Sequence, residues 1–162
     1  MNRRLFCFEI MGSGLAFTSA IANAGPEPSK PAVNVQKLQW HKSLKAAHKL
    51  AIETDKPMLI VFGASWCTWC HKMERETLAD QRLVAIIQRE FVPVHQDYDT
   101  DMKVRNILEI ERLPCTVILS PQADLLQKTE GFADFKGFIK ILQAAMAKQA
   151  EIRQVQNQEP AR

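Results

Sequence analysis

The fold is decided by residues 56–70, which read Lys56-Pro57-Met58-Leu59-Ile60-Val61-Phe62-Gly63-Ala64-Ser65-Trp66-Cys67-Thr68-Trp69-Cys70. The run from Met58 to Phe62 is continuously apolar and of strand length, which is typical of a central strand buried on both faces. Residues 63–65 are small and predict a turn. A helix is then expected to begin at Cys67 or Thr68 and to end near Leu78. The pattern therefore places two cysteines at a strand-to-helix turn.

The positions of these two cysteines favour redox chemistry. Cys67 falls in the first turn of the helix, where free backbone amides carry a partial positive charge that favours a thiolate over a thiol. Cys70 lies three residues later on the same face, so its sulfur can reach Cys67 without backbone movement. One thiolate can attack a partner's disulfide and the other can resolve the mixed disulfide. We therefore predict a redox-active dithiol.

Three other interpretations of the motif stay open at this point. An inert disulfide would staple the helix end. The string from Cys67 to His71 also spells C-x-x-C-H, the attachment pattern for c-type haem, in which His71 would be an axial ligand. Cys67, Cys70, Cys115 and His71 form a set suited to zinc or cuprous copper, although neighbouring side chains on a helix point in different directions.

The N-terminal residues have the pattern of a secretory signal peptide. Arg3 and Arg4 precede an apolar stretch from about Leu5 to Ile21, and Ala22-Asn23-Ala24 offers a small-x-small cleavage site. An uncleaved anchor is the alternative. We predict a signal peptide over 1–24, an extended leader over 25–38, one domain over 39–149 and a polar tail over 150–162.

Composition and the predicted export indicate which partners the protein can have and in which compartment it works. The formal net charge is +3 without a basic patch, which argues against nucleic acid. No second apolar stretch is long enough to span a bilayer, so no stable membrane insertion is expected after signal cleavage. Export to the periplasm or the medium places the cysteines in an oxidising compartment, where a close C-x-x-C pair needs a redox role or a metal.

The rest of the domain alternates between helical and strand patterns. Helices are expected from Ser43 to Thr54, from a cap at Asp80 through Ile87, from a cap at Thr100 or Asp101 through Leu108, and from Phe135 to about Ala147; strands are expected over 91–97, 116–119 and 125–130. Helices between strands imply parallel crossovers, and the late hairpin adds antiparallel pairing. The predicted class is α/β, with a mixed central sheet and helices on both faces.

From about Ser43 to Ala147 the residues resemble the thioredoxin superfamily. The run 56–70 is similar to the family's strand-to-active-site segment, Leu113-Pro114 to its cis-proline loop, and Glu130-Gly131-Phe132 to the turn after its last strand. The segment 71–78 is nearer to the branch that includes the C-terminal domain of the electron-transfer protein DsbD and proteins bearing C-x-W-C-H. The resemblance implies a thioredoxin fold.

The resemblance also implies roles for single residues. Cys67 would be the nucleophile and Cys70 the resolving thiol, while Trp66, Leu113 and a cis Pro114 would frame the surface that docks a substrate strand. The expected function is exchange of disulfides with exported protein partners, and the DsbD-like segment favours a reductase or electron relay fed by an upstream redox donor. No bound organic cofactor is expected, because both electrons reside in the dithiol.

Two departures from thioredoxin concern the chemistry of the pair. Val61 stands where thioredoxin has a buried acid, so proton transfer from Cys70 must use another group or water. Glu74 is a candidate, with a solvated helix carboxylate as its alternative. Thr68 and Trp69 replace the usual glycine and proline inside the motif, which leaves the redox potential open.

Three further side chains are candidate modulators or structural residues. Cys115 stands where a small hydroxyl residue is usual, and it would trap a mixed disulfide, bind metal or pack as a small buried group. A protonated His71 would favour the thiolate, and its alternative is a plain surface residue. His95, in the second strand, is expected to be structural.

Overall fold

The computed structural model describes residues 37–158. The predicted signal peptide over 1–24 and most of the leader over 25–38 lie outside the described residues. The elements in chain order are α1 Leu44–Thr54, β1 Met58–Gly63, α2 Thr68–Glu76, α3 Gln81–Glu90, β2 Val92–Asp97, α4 Met102–Ile107, β3 Cys115–Leu119, β4 Leu125–Glu130 and α5 Phe135–Gln158. The predicted order of elements is confirmed.

The sheet is mixed, with strand order β2-β1-β3-β4. The crossover from β1 to β2 is parallel, and β1 with β3 and β3 with β4 pair antiparallel. Pro93 lies in β2, an edge strand, where its missing N–H costs little because one side of an edge strand needs no ladder hydrogen bond.

Strand β1 is buried along its whole length because helices cover both faces of the sheet. Its side chains alternate between the faces. Leu59 and Val61 join a core cluster that contains residues of α2, α3 and α5, including Met73 and Phe138. Met58, Ile60 and Phe62 join a second cluster that contains Ala47 and Ala51 of α1. The fold class predicted from the sequence is therefore confirmed.

Ser43 and the predicted cap Asp80 begin their helices through side-chain hydrogen bonds, whereas the candidate cap Asp101 does not. The Ser43 hydroxyl accepts from the amide of Ala46, and the Asp80 carboxylate accepts from that of Arg82. Asp101 occupies the cap position of α4 without capping it, because its carboxylate instead accepts from the amide of Asp97 at 2.9 Å.

The last helix was predicted to end near Ala147 and to be followed by a frayed tail over 150–162. This prediction was wrong for the residues up to Gln158, because α5 continues to that residue. No glycine or proline interrupts residues 147–158, which are rich in good helix formers. Two contacts also support this extension: Ile152 packs against the main core cluster, and Arg153 donates to the Asp55 carboxylate at 2.8 Å. Among the described residues, no helix is both long enough and apolar enough to cross a membrane.

Candidate active site at the start of helix α2

Cys67 is the N-cap residue of α2, directly after the turn that leaves β1. Its amide donates to the carbonyl of Ala64 at 3.0 Å, and its Sγ accepts from the amide of Cys70 at 3.1 Å. Cys67 and Cys70 are joined in a disulfide, with Cα atoms 5.3 Å apart. The sulfur that faces the free amides of the helix is therefore that of Cys67, as the sequence predicts.

The disulfide lies in a small apolar cluster of its own. Cys67 is 6% exposed and Cys70 is 3% exposed, and both pack with Ala64 against the partly buried Tyr98 and Leu113. Cys67 retains the larger exposed fraction. Both cysteines are buried in the disulfide-bonded state.

Two exposed tryptophans lie at the motif, one directly before Cys67 and one between the cysteines, and each contacts residues from elsewhere in the chain. Trp66 donates from Nε1 to the Asp99 carboxylate at 2.8 Å and meets the ring of Tyr98 edge-on at 6.2 Å. Trp69 packs on the ring of Phe132 at 5.6 Å. The Lys72 Nζ lies 5.0 Å from the Trp69 ring centroid and 5.1 Å from that of Phe132.

Sequence reasoning missed the contribution of these supporting residues. Tyr98 and Asp99 come from the loop after β2, and Phe132 follows β4. No motif spacing links them to the cysteines, because only the sheet order brings the loops to this edge. The two tryptophans are thereby held in place, although they are 63% and 55% exposed.

The loop before β3 completes the surroundings of the disulfide. The Leu113–Pro114 peptide bond is cis, in agreement with the resemblance, and Leu113 packs against the cysteine cluster. Glu130 anchors this loop: its carboxylate accepts from the amide of Glu111 at 3.0 Å and from the Arg112 guanidinium at 3.2 Å. These hydrogen bonds, first that from the Glu111 amide, hold the pKa of Glu130 below its usual value.

Cys115 is fully buried at the start of β3, among apolar residues that include Ile60, Phe62 and Val117. It is a free thiol. Burial raises its pKa to about 12, so it is protonated at neutral pH. These observations favour the packing role among the three considered, because trapping a mixed disulfide or binding a metal requires an accessible thiolate.

His71 does not turn toward the cysteines. Its Nε2 donates to the Ser65 carbonyl at 2.9 Å, and its Nδ1 lies 3.7 Å from the Glu74 carboxylate. Across residues 37–158, no three His, Cys, Asp or Glu side chains are grouped so that they could hold a metal ion. The set of Cys67, Cys70, Cys115 and His71 is therefore not assembled by the fold.

His95 and Glu74 meet beside the buried cysteine of the pair. The imidazole Nε2 of His95 lies 3.3 Å from the Glu74 carboxylate. His95 is the register partner of Val61 across the β1–β2 pair, and it crowds the backbone of Gly63. The expectation that His95 is structural, drawn from its place in a strand, gave no sign of this contact, because Glu74 comes from a different element.

Comparison with known proteins supports this description. A model of the thioredoxin-like DsbH family, described as a protein of unknown function, DUF255, matches residues 31–155. The thiol:disulfide interchange protein DsbD of Ralstonia nicotianae is 33% identical over 41% of this chain and 11% of its own length. The chain spans about a third or less of the length of the curated relatives it matches.

Solved structures share the fold. A Thermus thermophilus thioredoxin superposes with a TM-score of 0.64 at 21% identity, covering 70% of this chain and 90% of that one. A DsbH oxidoreductase superposes with a TM-score of 0.61 at 18% identity, covering 85% and 95%. With the family model covering most of its length and a cysteine pair at the start of α2, the chain belongs to the DsbH family of thioredoxin-like proteins.

Proposed function

We propose that this protein is an exported thiol–disulfide oxidoreductase that exchanges disulfides with protein partners through Cys67 and Cys70. The observation that carries the proposal is the position of Cys67 at the N-cap of α2, with its sulfur on the Cys70 amide and the second sulfur within bonding distance. The helix N-terminus stabilises the Cys67 thiolate in the reduced protein. Two electrons are stored in the dithiol, so no bound cofactor is required.

The reaction runs in two displacements. The Cys67 thiolate attacks one sulfur of the partner's disulfide, the partner's S–S bond breaks, and its electron pair leaves with the second partner sulfur. Deprotonated Cys70 then attacks Cys67 Sγ, the Cys67–Cys70 bond forms, and the first partner sulfur leaves as a thiolate. The partner gains two electrons and the dithiol loses two, and an upstream dithiol donor restores the reduced state by the same steps in reverse.

Docking of the partner uses the apolar side chains around Cys67. Trp66 is exposed and held in place by Asp99, and Leu113 packs beside the disulfide next to Pro114. An extended partner segment laid across this surface would bring its disulfide against Cys67. Reduction of exported proteins, or relay of electrons to them, is the direction favoured by the similarity to DsbD.

Reduction of insulin driven by dithiothreitol tests the dithiol assignment. The wild type and Cys115→Ala, a variant outside the redox pair, should both accelerate precipitation of the insulin chains, whereas Cys67→Ser should not. Cys70→Ser should accumulate a mixed disulfide that a reductant releases. Equal activity of Cys67→Ser and wild type would remove Cys67 from its role.

Direction and location have separate tests. A reduction potential near about −270 mV would indicate a reductant, and one near about −120 mV an oxidant. N-terminal sequencing of the protein from the periplasmic or secreted fraction should begin at Gly25. A chain that keeps Met1 in the membrane fraction would favour the uncleaved anchor instead.

A further inference from the structure

The resolving step needs a proton acceptor that β1 does not supply. Cys70 is 3% exposed, so bulk water has little access to its thiol. The β1 side chain nearest in register to His95 is Val61, which is apolar and 2% exposed. Under the function proposed above, Cys70 must lose its proton before it attacks Cys67, and the acceptor must come from another element.

The imidazole of His95 lies beside Cys70 across a gap left open by Gly63. A Cβ placed on Gly63 would lie 3.3 Å from His95 Nε2 and 3.6 Å from Cys70 Cβ. Both groups therefore line the same small space, which any side chain at position 63 would fill. The two distances place Nε2 no more than about 7 Å from Cys70 Cβ, a separation that one water molecule can bridge.

Glu74 supplies the countercharge for a protonated imidazole. Its Oε1 lies 3.3 Å from His95 Nε2, with 32% of the His95 side chain and 41% of the Glu74 side chain exposed. Trp40 packs edge-on against the imidazole at 5.8 Å. The ring is thereby in contact with both an aromatic side chain and a carboxylate.

Other charged groups surround this pair. His71 of α2 lies 3.7 Å from the second oxygen of Glu74. Asp97 follows two residues along β2, and it lines a groove with His95 and Lys42, together with Asp101. A second groove, of about 590 Å³, is lined by His95, Glu74 and Lys37, among others. Glu74 is the acidic group in hydrogen-bond contact with the imidazole.

We propose that His95 is the proton acceptor for Cys70 and that Glu74 positions and stabilises it. Before this step the neutral imidazole carries its proton on Nδ1, so the lone pair of Nε2 can take the proton from Cys70 Sγ. The resulting imidazolium then donates from Nε2 to the Glu74 carboxylate. The Cys70 thiolate then attacks Cys67 Sγ in the mixed disulfide, the Cys67–Cys70 bond forms, and the partner sulfur leaves with the electron pair. The imidazolium returns the proton to solvent or to the departing thiolate.

The two thiols can be followed separately with dithiobis(nitrobenzoate) as the oxidant in stopped flow. Attack by Cys67 on this symmetric disulfide releases a first coloured thiolate, and resolution by Cys70 releases a second. The first phase tests the proposed function, and the second phase tests the role of His95. The leaving group is a stable thiolate that needs no proton, so the pH profile of the second phase reports removal of the Cys70 proton.

We compare the reduced wild type with His95→Gln, Glu74→Gln and the matched control His48→Gln, whose histidine contacts the Pro121 carbonyl on another part of the surface. General base catalysis contributes about 10²- to 10⁴-fold to the rate of a step, and water can partly replace a partly exposed imidazole. His95→Gln should therefore slow the second phase by at least about tenfold at pH 7. Glu74→Gln should slow it less. His48→Gln should change neither phase.

The pH profile distinguishes a base from a packing residue. In the wild type the rate of the second phase should show an inflection as pH falls, because a protonated imidazole accepts no further proton, and His95→Gln should lose that inflection. An unchanged first phase in the variant shows that it is folded. If His95→Gln does not fold, two other results would each overturn the proposal. One is a wild-type second phase without the inflection, and the other is a second phase that Glu74→Gln leaves unchanged.

The two proposals fail in different ways. If the second phase of folded His95→Gln equals that of the wild type, His95 is not the acceptor, although the dithiol function stands. If the wild type shows no first phase, Cys67 is not a nucleophile and both proposals fall.

Discussion

Cys115 gives the sharpest quantitative prediction, because its thiol is both buried and hard to ionise. We expect it to resist alkylation by iodoacetamide in the folded, reduced protein. A pKa of about 12 leaves about one thiol in 10⁴ ionised at pH 8, whereas a free cysteine that titrates near ~8.5 is about one quarter ionised. The thiolate fraction of Cys115 is therefore lower by roughly 10³-fold, before burial hinders the reagent at all.

The assay is a timed alkylation followed by proteolysis and mass spectrometry, which measures each cysteine separately. Cys67 in the reduced wild type is the reactive standard, and the double variant Cys67→Ser with Cys70→Ser removes any exchange of disulfides with Cys115. Because its pKa is raised, the thiolate fraction of Cys115 should rise about tenfold for each pH step from 7 to 10, whereas an ordinary thiol levels off above about pH 9.

Denaturant provides the matching control, since unfolding should restore an ordinary rate of alkylation at Cys115. The reasoning is refuted if the folded protein is alkylated at Cys115 within tenfold of the denatured rate at pH 8. Such a result would mean that the thiol is accessible and ionised, and the roles in trapping partners or binding metal would return.

Four further changes test other parts of the structure. Phe138→Ala should lower the free energy of unfolding by about 3–5 kcal/mol in a urea titration, since Phe138 is fully buried in the main core cluster; a loss below 1 kcal/mol would mean that the site collapses around the gap. Gly131→Ala should cost about 1–3 kcal/mol in the same titration because residue 131 has φ of +95°, and a neutral result would contradict the strain argument. Because the pKa of Glu130 is lowered in the folded protein, its carboxylate stabilises the fold above the unfolded pKa near ~4.3, and this stabilisation is lost as pH falls through the folded pKa. Glu130→Gln should therefore destabilise the protein at pH 7 and flatten the decline of the melting temperature between about pH 5 and 3. A decline parallel to that of the wild type would refute this prediction. Gly63→Ala should slow the second phase of the dithiobis(nitrobenzoate) reaction, because the new Cβ would displace the imidazole of His95; an unchanged rate would show that the gap is not needed.

Sequence patterns predicted the parts of the fold that depend on local chemistry. The apolar run of β1 is buried on both faces, and the cap at Asp80 begins its helix where expected, because burial periodicity and capping act over a few residues. The position of Cys67 at the start of α2 was predicted from the same kind of local pattern. The end of α5 was predicted too early, since polar helix formers were taken as a frayed tail and the contact of Arg153 with Asp55 spans 98 residues.

The surroundings of the cysteines were harder to predict, for a physical reason. Asp99 holds Trp66 and Glu130 holds the loop before Pro114, and each contact joins elements that only the sheet order brings together. His95 shows the limit most clearly. Alternation along a strand indicates which face a residue occupies, but it does not show that Gly63 leaves room beside it for Cys70.

The disulfide packs in its own small cluster, apart from the two clusters that fill the faces of the sheet. The residues between the cysteines, Thr68 and Trp69, are both exposed. Substitution at position 68 is thus largely uncoupled from folding, whereas Trp69 also packs on Phe132, which lies against the main core cluster. A library randomised at position 68 should stay folded while its members spread in potential, so the potential of this scaffold can be tuned without compensating core mutations.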